Sequence, residues 1–218
     1  MSEFIVHGII GSPYVRAVLM ILEEKGRSWT LRPVAPGAHR SPEHLAKHPF
    51  GRVPVVTHGD FELYETQAVL RYVEQLYPEP ALVPDDPRLA ARMNQLMGIN
   101  DWYVMSQIGA PIVFQKVIAP RFGMPCDEAR VQEALPKAEI CVREIARLLG
   151  DQPYMAGAAM SLADLMLAPQ FSLMVQCDEG RALVAPYPAL GAWLERMEAR
   201  PSMQGTSWDR LLEIDQAA

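Results

Sequence analysis

The residues best suited by type and spacing to do chemistry are a serine at the start of the first helix and four short polar or proline-bearing segments after it. Gly11-Ser12-Pro13 separates a run that reads as a strand, Phe4 to Ile10, from one carrying Val15, Val18, Leu19 and Leu22 at helical spacing. Ser12 is a preferred N-cap and Pro13 suits the first helical position. A hydroxyl there can donate a hydrogen bond to a bound anion, where the helix's first N–H groups and its dipole also favour negative charge. A thiolate is one such anion. A thiol of pKa about 8.5 is only slightly ionised at neutral pH, yet the thiolate is the form that attacks electrophiles. Ser12 cannot act as a general base, because its hydroxyl does not ionise at neutral pH. Plain helix capping accounts for the same residue types.

Val53-Pro54 lies among apolar residues, where a proline removes a ladder donor and marks a strand edge or turn. The sequence leaves the isomer of that bond open. Glu65-Thr66 falls where a strand gives way to a helix N-terminus, a natural seat for a carboxylate and equally a cap. His39-Arg40 can bind an anion through charge-assisted hydrogen bonds or can simply form a solvated loop. Arg52 donates but cannot accept. Residues 1 to 125 contain no cysteine, so chemistry in that half does not rest on a cysteine nucleophile. Cys126, Cys141 and Cys177 form no CxxC pair and leave an odd thiol, which argues against a disulfide framework and against a zinc site. They read as ordinary thiols of a reducing compartment.

The elements that would position these residues are legible in outline. A second strand is expected around Trp29 to Val34, and a hairpin over Val53 to Thr57 and Phe61 to Tyr64 with its turn at His58-Gly59-Asp60. A helix opening at Thr66 shows Val69, Leu70, Val73 and Leu76 on its apolar face and closes before Pro78. Glu79 to Pro87, rich in proline and acid, reads as a linker. Beyond it strand signals cease, and helical patterns run over Arg88 to Met105, Glu128 to Leu149, Ser161 to Val175 and Ala189 to Ala199. Ser161 with Asp164 has the spacing of a capping box. The expected organisation is an α/β domain over 1–78, a linker over 79–87 and an all-helical domain over 88–218.

The chain has 218 residues, half of them hydrophobic, enough for a large core. Its 20 Lys and Arg against 26 Asp and Glu give a net charge of −6 with no basic block, which disfavours nucleic acid as a partner. No apolar run reaches the roughly 20 residues that span a bilayer, so no membrane partner is expected. The first residues lack the layout of a signal peptide, which makes the cytoplasm the expected compartment.

The glycine-serine turn, then SPEHL, PFGRVPVV, a hairpin and LYETQAV, in that order within about 60 residues, resembles the N-terminal domain of the glutathione transferases. The likeness is closest to serine-type members: phi/theta-like and bacterial ones. In motif it covers roughly residues 5 to 75 and the Ser161–Asp164 cap. It implies a thioredoxin-like α/β domain and a helical domain, with glutathione as co-substrate and no metal. It also implies that Ser12 holds the glutathione thiolate. A cis Val53-Pro54 bond would present the main chain of Val53 to the cysteinyl part, with Pro54 as the geometric cause. Thr66 would bind the γ-glutamyl carboxylate and Glu65 the ammonium. His39 or Arg40 would reach the glycyl carboxylate. Arg52 stands where many members carry glutamine, so that contact is altered. The electrophile is expected between the domains, with Tyr14, Tyr103, Met105, Phe114 and Phe122 as candidate walls, although most of these also read as core. Asn100 and Asp101 lie on a helix that forms a homodimer interface in similar proteins.

Conjugation of the thiolate to small hydrophobic electrophiles is the activity this implies. Peroxide reduction, dehalogenation or isomerisation on the same site, and a non-catalytic binding protein of the same fold, stand as alternatives.

Overall fold

A computed structural model describes residues 3–217. Strand β1 (Phe4–Gly8) pairs in parallel with β2 (Trp29–Pro33) and antiparallel with β3 (Val55–His58), which pairs antiparallel with β4 (Phe61–Tyr64), so the sheet order is β2-β1-β3-β4. A parallel neighbour requires a crossover, and helix α1 (Pro13–Glu24) supplies it. β1 alternates buried and half-buried positions, as a strand with one face on a core must. α1 buries Val15 and the whole run Ala17 to Leu22, and it packs beside α3 (Thr66–Leu76), which buries Val69, Leu70 and Val73. A 3-10 turn at Ala38–Arg40 and a short helix α2 (Pro42–Lys47) join β2 to β3.

Three strands are shorter than expected, β2 by the single residue Val34. β1 stops at Gly8 because the chain turns at once, with the Ser12 N–H donating to Ile9 O at 3.0 Å. β3 starts only at Val55, which leaves Val53-Pro54 outside the ladder.

The second unit spans Leu82–Ala199 and is helical. Helix α4 (Pro87–Ile99) is capped by Asp86, which accepts from Arg88 N and Leu89 N at 2.7 and 3.1 Å. It continues in π-type winding over Asn100–Ile118 and ends as α5 (Ala119–Arg121). The pattern read from sequence gives out at Met105 because i→i+5 winding departs from the 3.6-residue period on which that pattern depends. Then follow α6 (Glu128–Leu149), α7 (Leu162–Met174), α8 (Asp178–Val184) and α9 (Pro188–Glu198). Every residue of α7 is buried. Asp164, in its first turn, accepts from Ser161 N, Ser161 Oγ and Trp193 Nε1 at 2.8 Å each and from Met155 N at 2.9 Å.

The division at 88–218 is revised: the segment from Arg200 onward belongs to the sheet-bearing unit. Arg200 forks onto Glu24 at 2.7 and 2.8 Å, the Ser202 hydroxyl donates to the same carboxylate, and Arg16 donates to Met203 O at 2.6 Å. These contacts hold α10 (Pro201–Gly205) to α1, and α11 (Trp208–Ala217) follows it in the same unit. The linker is likewise divided. Lys25, buried and paired with Glu74, donates to Pro80 O, whereas Leu82 O accepts from Leu162 N at the start of α7.

Candidate active site

The register of the sheet brings the sequence candidates of the first unit to one end of it. His7 lies opposite Val55 and Val55 opposite Tyr64, so the continuation of β1 runs beside Pro54 and Val53, and these run beside Glu65 and Thr66. β2 runs parallel to β1 and therefore delivers the loop bearing His39 and Arg40 to the same end. That loop reaches the Arg52 segment: a Cβ added to Gly51 would stand 3.2 Å from the His39 carbonyl oxygen.

Ser12 caps α1 from extended backbone, but its Oγ accepts from Val15 N at a long 3.4 Å. The hydroxyl donates to no group among the described residues, so its proton is available to a ligand at the helix N-terminus. The preceding Gly11 has φ +91, and a Cβ there would stand 2.1 Å from the Trp208 ring, so only glycine suits this turn. Trp208 beside the serine turn is a feature the sequence did not signal, since nothing local links residue 208 to residue 11.

The Val53-Pro54 bond is cis. The Val53 N–H and C=O make no hydrogen bond among the described residues. Thr66 begins α3 with neither its N–H nor its hydroxyl engaged, a free donor pair at a helix N-terminus. Glu65, exposed beside it, has φ 70 and ψ 110 and makes no capping hydrogen bond. A non-glycine residue in that region costs about 1–3 kcal/mol, and such residues cluster at functional sites. The strain was not legible in the sequence, because glutamate gives no hint of positive φ.

Cations surround this end. Arg40 and Arg52 are exposed and form no ion pair among the described residues. Three imidazoles of the same unit have pKa values below the ordinary 6.5. Burial is the largest cause for His7, His39 and His48, aided for His39 by Arg40, His44 and Arg52, and for His48 by His44 and Arg52 against an opposing pull from Glu65. His48 is buried, stacks at a tilt on Tyr64 with ring centroids 4.5 Å apart, and leaves its Nδ1 without a partner. His44, also buried, places Nε2 2.7 Å from the Arg52 carbonyl oxygen.

Of the apolar candidates, Tyr14 is half-buried in the first turn of α1. In the helical unit Tyr103, Phe114 and Phe122 are exposed by 57, 39 and 45 %, so they are not core. Met105 is half-buried, with its sulfur 4.0 Å from the Gln170 amide nitrogen. Asn100 is buried and donates to Asp101 at 3.2 Å. Among the described residues no group of His, Cys, Asp or Glu is arranged to hold a metal.

A four-stranded sheet with one antiparallel hairpin, packed with α1 and α3, and a separate helical unit make a thioredoxin-like domain and an all-α domain. Residues 6–81 match the model of the glutathione S-transferase N-terminal domain, and residues 128–196 that of the C-terminal domain. Glutathione S-transferase 4 of Zea mays is 34 % identical over 206 residues, spanning 90 % of this chain and 88 % of the relative. A glutathione S-transferase I solved with lactoylglutathione superposes with a TM-score of 0.82 at 28 % identity, covering 94 % of this chain and 99 % of the other. The maize enzyme I solved with an atrazine glutathione conjugate gives 0.80 at 28 % identity, covering 94 % and 96 %. The chain belongs to the glutathione S-transferase family.

Proposed function

We propose that the chain is a serine-type member that uses Ser12 to hold the glutathione sulfur as a thiolate for attack on small hydrophobic electrophiles. The observation that carries this is the unspent Ser12 hydroxyl at the N-terminus of α1, at the same end of the sheet as the unspent main chain of Val53. The thiol proton passes to solvent. The hydroxyl and the helix N-terminus stabilise the charge left on sulfur. The sulfur lone pair forms the new carbon–sulfur bond, and the leaving group departs with its electron pair or the electrophile takes up a proton.

The peptide is held by matching chemistry. The Val53 N–H and C=O pair with the cysteinyl unit, the Thr66 N–H and hydroxyl take the γ-glutamyl carboxylate, and Glu65 takes the ammonium. His39 and Arg40 meet the glycyl carboxylate, with Arg52 as a further donor. Tyr14, Tyr103, Met105, Phe114 and Phe122 supply apolar surface to the electrophile. The exposed Phe50 and Trp102 suit burial in a homodimer, and three free cysteines suit a reducing cytoplasm. No helix among the described residues is long and apolar enough to cross a membrane.

Ser12→Ala should lower kcat by about 10- to 100-fold, in line with loss of one donor to a developing anion, while KM for glutathione stays within about threefold. Unchanged kcat removes Ser12 from the chemistry.

A further inference from the structure

Helix α2 meets the Arg52–Val53 segment through a side chain that the binding roles above leave unused. His44 Nε2 lies 2.7 Å from Arg52 O. A carbonyl only accepts, so Nε2 carries the proton. The imidazole sits on a fixed base. His44 is 6 % exposed, its N–H donates to Ser41 Oγ, and its carbonyl accepts from His48 N at 2.8 Å.

The segment it grips lies between two anchors, the Gly51 N–H, which donates to His48 O at 2.9 Å, and the ladder residue Val55. Ladder pairing begins at Val55, so no neighbouring strand orients the peptide between Arg52 and Val53. That peptide is trans and planar, which fixes the Arg52 carbonyl and the Val53 N–H in opposite directions on one rigid unit. Holding the oxygen therefore aims the N–H. A hydrogen bond to the oxygen also polarises the amide and strengthens its N–H as a donor.

We propose that His44 is a positioning residue for glutathione: by gripping Arg52 O it fixes the direction of the Val53 N–H that receives the cysteinyl carbonyl. This rests on the glutathione site described under the proposed function. The grip does not depend on protonation at Nδ1, because the neutral Nε2–H ring and the imidazolium both donate from Nε2.

The test compares His44→Leu, which fills the site without a donor, with His44→Gln, whose amide nitrogen reaches about as far as Nε2. Both are titrated with glutathione while the Val53 amide is followed by ¹⁵N NMR. In the native protein glutathione should shift the Val53 resonance. His44→Leu should weaken glutathione binding about tenfold, the scale of one hydrogen bond, with kcat at saturating glutathione within about twofold of native. His44→Gln should restore most of the affinity. A native Val53 resonance that does not respond to glutathione overturns the binding site and this inference together. A responsive resonance with native affinity in His44→Leu overturns the positioning role alone, as does equal weakening in the Gln and Leu variants. Should His44→Leu fail to fold, the ring tautomer in the native protein decides: Nε2–H supports the grip and Nδ1–H at neutral pH refutes it.

Discussion

Replacing Glu65 by glycine separates what the site costs the fold from what it does for the ligand. Glu65 holds φ 70 and ψ 110 immediately before α3 and makes no capping bond there, so its side chain offsets none of that strain. The backbone cost is about 1–3 kcal/mol, and glycine removes it. Glycine returns part of that gain through its greater unfolded-state freedom, about 0.5–1 kcal/mol. The net expectation is a stabilisation of about 0–2.5 kcal/mol, the difference of those two ranges. The same change deletes the carboxylate assigned to the glutathione ammonium. A charge-assisted hydrogen bond at an exposed site is worth about 1–2 kcal/mol, so KM for glutathione should rise about tenfold. Chemical denaturation read by circular dichroism gives the first number and steady-state kinetics the second. A variant less stable than native would show that Glu65 is not strained. A more stable variant with native KM would show that its strain serves something other than glutathione.

Asp164→Asn should cost about 3–5 kcal/mol, because a fully buried carboxylate accepting from four donors becomes an amide whose NH₂ faces some of them. Urea unfolding measures this, and a loss below about 1 kcal/mol would mean the four bonds do not act together. The lowered pKa values of His7, His39 and His48 fix the sign of an acid response. These rings take up protons less readily in the fold than in the unfolded chain, where they do so near 6.5. Their contribution is complete above the unfolded value and is lost as pH falls through the lower folded values. The urea midpoint should therefore drop between about pH 7.5 and 5.5, and a flat or rising midpoint contradicts the burial of these rings.

What the sequence made legible was whatever local chemistry dictates. Ser12-Pro13 announces a helix start, Gly59-Asp60 a hairpin turn, and Ser161 with Asp164 a capped buried helix, because caps and turns are decided by a few adjacent residues. Much less could be read where distant segments meet or where winding is irregular. The π-type stretch Asn100–Ile118 hides its face from a 3.6-residue period. The return of Arg200 and Trp208 to α1 and Gly11 depends on pairings nearly 200 positions apart, and nothing in the local pattern foretells them. The candidate site shows the same division. Ser12, Val53 and Thr66 stand out by residue type and by the resemblance of their motifs, but the strain at Glu65 and the grip of His44 on Arg52 O arise only in the folded backbone.

Whether Ser12 holds glutathione as a thiolate is decided by the ultraviolet absorbance of the thiolate, followed through a pH titration of the bound complex. In the native protein the bound thiol should titrate well below the free value of about 8.5, and in Ser12→Ala it should move back towards that value. A native complex that titrates like free glutathione, or a Ser12→Ala complex with the native titration, would contradict the account.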